Sequence, residues 1–175
     1  MQIILASGSA PLSKLIMALS GGRFSHTAIR YGSVDSDWLV HAFIYGVTPE
    51  WHSYFITKYK FIKSFEIIKN KKDAEIALDE VVKKYRHKKY DFIGLFGYFI
   101  VSLFEKVKIK IRTPFQSRNS LLCTELVAEF LKTFSVSCNL ELPDLTQFST
   151  PKMIEELLES RSDIFKKIEV IDDSK

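Results

Sequence analysis

The sequence predicts an α+β fold: a curled antiparallel β-sheet packed against helices, with a cysteine-bearing helix at its centre. Three observations predict it. Residues 24–31 and 106–112 carry the two-residue alternation of strands, and 38–43 reads as the hairpin partner of the first. Residues 11–19, 73–87 and 122–131 place apolar side chains three and four apart, the period of a helix. Gly, Pro, Asn and Asp punctuate these segments at short intervals, with no repeat, low-complexity tract or linker, so residues 1–175 are expected to form one domain.

Each element has a local reason. Ile3-Ile4-Leu5-Ala6 is an apolar run of strand length, turned by Ser7-Gly8-Ser9. Pro11 opens a helix at its first position, with Ser9 as the expected cap and Leu12, Leu15, Ile16 and Leu19 as its stripe. Gly21 and Gly22 end it. Residues 24–31 and 38–43 form the two strands of a hairpin around a polar tip that includes Asp37; one carries His26, the other His41. Thr48-Pro49 is expected to start a short helix holding Trp51, Tyr54 and Phe55. A strand follows over 61–68, then a helix over 73–87 with Ile76, Val81, Val82 and Tyr85 inward. Residues 92–104 are apolar nearly all round, either a central core helix or a lipid-facing surface, and 106–112 alternate as a half-exposed strand. Asn119 or Ser120 is expected to cap the helix of Leu122, Leu126, Val127 and Phe130. Thr150-Pro151 starts another helix, and 164–171 a last strand before a loose tail.

Bulk properties narrow the function classes. A chain of 175 residues, 46% hydrophobic and 26% charged, is globular rather than disordered. The net charge of +4 permits an acidic partner without demanding one. Lys83-Lys84-Tyr85-Arg86-His87-Lys88-Lys89 is the densest basic run. It reads either as a solvated helix end offsetting the dipole or as a patch for an anionic membrane or acidic polymer, together with the stretch from Phe92 to Arg112. It carries no nucleic-acid-binding motif. Two cysteines, Cys123 and Cys138, make no disulfide framework and no metal spacing; a reducing compartment is the simpler reading than a single bridge. There is no signal-like leader and no run of spanning length, so a cytoplasmic or virion-associated location is expected, with no cofactor and no metal.

Cys123 falls at the start of its helix, where free N–H groups and the dipole lower a thiol pKa. A thiol nucleophile needs a base, and the base needs an orienting group. Of the four histidines, His26 and His41 lie on paired strands; His52 reads as a packing residue and His87 as part of the basic run.

Phe24-Ser25-His26-Thr27-Ala28-Ile29-Arg30-Tyr31-Gly32, followed far downstream by Leu122-Cys123-Thr124-Glu125-Leu126-Val127, resembles the circularly permuted NlpC-type papain-like cysteine hydrolases. These include YiiX-like enzymes and are related to lecithin retinol acyltransferase. Leu39-Val40-His41-Ala42 with Gly46-Val47, and Lys89-Tyr90-Asp91-Phe92, resemble that group's intermediate motifs. Many YiiX-like members carry a glutamate where this chain has His41; the acyltransferase branch carries a histidine. The resemblance implies a permuted papain-like fold with the nucleophile at a helix N-terminus. It also implies Cys123 as nucleophile, His26 as general base, His41 as orienting group, and the Cys123 N–H as oxyanion donor. The implied reaction is hydrolysis of an amide or peptide bond, such as a cell-wall peptide, through an acyl-enzyme. Alternatives are acyl transfer from a lipid or thioester at a membrane surface, and a catalytically idle interaction or virion structural module.

Overall fold

A computed structural model describes residues 1–32, 37–43, 45–86, 88–90, 120–143, 145 and 149–172. The apolar run 92–104, the strand expected at 106–112, and His87 lie outside the described residues, as does the loose tail after residue 172.

Six strands form one sheet in the order β4-β3-β2-β1-β5-β8, every neighbouring pair antiparallel. They are β1 (Gln2–Ser7), β2 (His26–Tyr31), β3 (Trp38–Phe43), β4 (Gly46–Trp51), β5 (Phe61–Ile67) and β8 (Phe165–Asp172). A second, parallel pair joins β6 (Lys89–Tyr90) to β7 (Ser120–Leu121). The helices are α1 (Pro11–Ser20), α2 (His52–Ile56), α3 (Lys71–Tyr85), α4 (Cys123–Ser137) and α5 (Pro151–Ser160).

Both faces of the sheet are covered, which explains the unbroken apolar run in β1. Ile3, Leu5, Ile29, Val40 and Ala42 pack with Leu126, Val127, Phe130 and Phe134 of α4 and with Ala74, Ala77, Leu78 and Val81 of α3. On the other face Ile4, Ala6, Ala28, Leu39 and Ile62 surround the fully buried Phe55 of α2. α5 is fixed to β5 through Lys63, whose buried ammonium takes Glu155 at 2.6 Å and Glu159 at 2.5 Å. Thr150 Oγ1 caps α5 by accepting from the Met153 N–H.

Several expectations are corrected. Ser9 does not cap α1: the cap position is Ala10, without a side-chain bond. None of the α1 stripe is buried, and Leu12 and Leu15 are 42% and 45% exposed. Thr48 and Pro49 start no helix. They belong to the edge strand β4, where a missing ladder donor is tolerated, and α2 begins at His52. Ile76 points outward at 48% exposure, because Ala74, Ala77 and Leu78 define the inward stripe of α3. Ser120 does not cap the cysteine helix, and Asn119 lies outside the described residues. Leu122 holds the cap position, and its N–H donates to Glu125 Oε2 at 2.7 Å.

Candidate active site

Cys123 is the first residue of α4, which lies across β2 and β3. Its side chain is buried, 5% exposed. Burial pushes the thiol up from its ordinary value, against the N–H groups of Thr27, Thr124 and Cys123 itself and the nearby Thr27 hydroxyl, which favour the thiolate. Thr27 Oγ1 is itself buried without a hydrogen-bond partner among the described residues. The expectation of a lowered thiol pKa is therefore corrected: the helix start supplies donors, and desolvation outweighs them.

The sheet brings the two strand histidines together. The Ile29↔Val40 register sets His41 beside Ala28, two residues from His26. That small side chain leaves room for the rings, and His26 Nε2 meets His41 Nδ1 at 2.8 Å. Both are buried, 6% and 2% exposed. The rings stand edge to face, with Tyr59 stacked on His26 at 5.5 Å and Phe43 stacked on His41 at 5.7 Å. Phe55 contacts both imidazoles, at 5.9 and 5.6 Å. Burial first, then His41 and Lys58, holds His26 well below an ordinary imidazole. Burial likewise lowers His41 to about 4; Glu50 opposes and Lys58 adds to the fall. Both rings are neutral at neutral pH.

Strand alternation puts Thr27 on the α4 face and His26 on the α2 face, so thiol and imidazole approach the end of β2 from its two sides. Among the described residues no hydrogen bond joins His26 to Cys123; the Nε2 atom is engaged by His41, leaving Nδ1 as the other ring nitrogen. Tyr59 lies within electrostatic range of the thiol: burial first, then Cys123 and Glu50, raises its phenol pKa.

Sequence reasoning missed Glu50, Lys58 and Tyr59. Glu50 projects from β4 opposite Leu39, and Oε2 lies 3.8 Å from His41 Nε2 while Oε1 takes Lys58 Nζ at 2.5 Å. The β3–β4 register would have revealed it, since Glu50 is the diagonal neighbour of His41 on one sheet face. His52 is not simply a packing residue: Nδ1 lies 3.0 Å from Asp37 Oδ2. Asp37 also receives both arms of Arg30, at 2.6 and 2.9 Å. Burial would raise that carboxyl, yet Arg30 and His52 hold it below the usual range. Cys138 caps the far end of α4, away from the histidine pair. Of the basic run, Lys83 pairs with Asp79 and Lys84 with Glu129.

No protein-family model matches the sequence, and no curated protein matches it. Among solved structures, the chain is similar to the metalloprotein yiiX from Escherichia coli O157:H7 (DUF1105). The TM-score is 0.55 and the identity 16%, over 97% of this chain and 86% of that one. The sheet and helices thus have the YiiX-like fold that the sequence motifs resemble. That protein's description calls it a metalloprotein. Among the described residues here, no group of three or more His, Cys, Asp or Glu converges on one point. The His26 and His41 nitrogens that face each other are bonded to one another. The described residues thus do not fit a metal ion. No helix of the described residues is long and apolar enough to cross a membrane.

Proposed function

We propose, from the YiiX-like fold, Cys123 at a helix start and the buried His26–His41 pair on the strands that this helix crosses, that the protein is a thiol hydrolase working through an acyl-enzyme. The observation that carries the reading is the 2.8 Å bond between the two buried imidazoles on the strands that α4 crosses. A neutral His26 is a competent base, because its lone pair is not occupied by a proton at neutral pH.

In this reading Cys123 Sγ attacks the carbonyl carbon of an amide or peptide bond as its proton passes to His26. The carbonyl π pair moves to oxygen, and the Cys123 N–H at the start of α4 donates to that oxyanion. Collapse breaks the C–N bond, and the imidazolium returns the proton to the leaving amine. Water, deprotonated by His26, then releases the acid and restores the thiol. His41 holds His26 in place throughout. The raised thiol pKa makes the base indispensable, since little thiolate exists before the substrate arrives.

A second reading keeps this chemistry with the acyl group of a lipid or thioester. The exposed Leu12 and Leu15 of α1 favour it, because α1 starts close to the histidine site: a Cβ on Gly8, just before α1, would lie 3.8 Å from the Tyr59 ring that stacks on His26.

The test is a pre-steady-state reaction with p-nitrophenyl acetate at pH 8, read by nitrophenolate burst and peptide mass. One acetyl per chain on Cys123, absent in Cys123→Ala and at least tenfold slower to form in His26→Ala, is expected. Acetylation confined to Cys138 and surface lysines would overturn the reading and leave the idle binding module.

A further inference from the structure

Glu50 has an arrangement that packing alone does not explain. It stands on the edge strand β4 and turns its carboxylate in toward the α2 face of the sheet. Oε1 is committed to Lys58. Oε2 is buried, has no hydrogen-bond partner among the described residues and lies 3.8 Å from His41 Nε2. A buried carboxylate oxygen left unbonded is costly, on the order of 1–3 kcal/mol. Such an atom facing an imidazole nitrogen discriminates between the ring's tautomers.

Two proton arrangements satisfy the 2.8 Å bond between the histidines. In one, His41 carries its proton on Nε2, accepts at Nδ1 from His26 Nε2–H, and leaves a lone pair on His26 Nδ1. In the other, every proton is on the opposite nitrogen. The His41 Nε2 lone pair then faces the Glu50 carboxylate, and His26 Nδ1 carries a hydrogen. Only the first gives His26 a basic nitrogen that is not already engaged by His41. The groups around His41 are Glu50 from β4, Lys58 after α2, His26 from β2, and the rings of Phe43 and Phe55. Of these only Glu50 presents an acceptor to Nε2.

We infer that Glu50 is a positioning residue that sets the tautomers of both histidines, placing the proton on Nε2 of each and the basic lone pair on Nδ1 of His26. It acts through His41 and touches no substrate. The functional part of this inference rests on the thiol hydrolase reading; the tautomer assignment does not.

The experiment is long-range proton–nitrogen NMR of the whole labelled chain at pH 7.5, on wild type, Glu50→Gln and Glu50→Asp. Wild type is expected to show Nε2–H on His26 and His41. In Glu50→Gln the amide oxygen stays with Lys58 and the NH2 group faces His41, so both rings should reverse to Nδ1–H. Cys123 acetylation by p-nitrophenyl acetate should then fall at least tenfold. Glu50→Asp keeps an acceptor and should keep the wild-type tautomers. Nδ1–H on His41 in wild type, or unchanged tautomers in Glu50→Gln, overturns the inference. If wild-type Cys123 is never acetylated while the tautomers behave as stated, the hydrolase reading fails and the positioning by Glu50 stands.

Discussion

The buried imidazole pair should make the fold acid-sensitive, and His41 allows the size of the effect to be worked out. Its pKa is about 4 in the fold and 6.5 as the unperturbed value. Between those values the unfolded chain binds a proton that the folded chain refuses, so stability falls as pH drops. The loss begins near pH 6.5 and is complete below pH 4. Two and a half units correspond to about 3.4 kcal/mol in all; between pH 7 and pH 4.5 the linkage relation gives about 2.4 kcal/mol. Carboxylates titrate in the same window, so the comparison is made against His41→Asn, which keeps a hydrogen-bonding group for His26 but takes up no proton. Urea denaturation of both proteins at pH 7, 6, 5.5 and 4.5 provides the readout. Wild type should lose about 2.4 kcal/mol more than the variant over that range. A difference below about 0.5 kcal/mol would mean that His41 protonates freely inside the fold, and the argument from burial would be wrong.

Two other outcomes are expected. Gly46 has φ +99°, and a Cβ there would run into the Lys88 carbonyl, so Gly46→Ala should cost more than the roughly 1–3 kcal/mol of a strained φ. That lowers the thermal midpoint by more than about 5 °C; a midpoint within 2 °C of wild type, measured by circular dichroism, would contradict the close approach. Native iodoacetamide alkylation should modify the partly buried Cys138 ahead of the buried Cys123 at pH 7.5, with the Cys123 rate still rising at pH 9. A Cys123 plateau below the ordinary thiol value of about 8.5 would show that the helix start outweighs desolvation.

What the sequence reveals here follows from which signals are local. The strand at residues 38–43 is read to the residue because an apolar run of strand length is bounded by turn residues on both sides. Pro11 and Gly21 bound α1 correctly for the same reason. Thr48-Pro49 misleads because the same dipeptide suits a helix start and an edge strand, and only pairing with Val40 and His41 decides. Ile76 misleads because apolar character does not say which face of α3 meets α4. The histidine pair is legible because two strands and a short tip force antiparallel pairing. Glu50 is not, because an acid in an edge strand is ordinary until the register sets it diagonal to His41.

The site also shows why residue type and helix position are insufficient to assign a thiolate. A helix N-terminus favours negative charge by a fixed and modest amount, about 0.3–1 kcal/mol at the surface and up to about 2 when partly buried. Desolvation grows with enclosure and reaches several kcal/mol for a fully buried ion. At Cys123 the two act on the same sulfur, and enclosure wins. The same enclosure strips the charge from His26 and His41. A buried thiolate–imidazolium pair would place two ions where neither is solvated, so the resting site is neutral. On the thiol hydrolase reading proposed above, proton transfer would then coincide with the arrival of an electrophile. On that reading the orientation of the imidazole lone pair, rather than the acidity of the thiol, would govern reactivity, and the proposed role of Glu50 is to set that orientation.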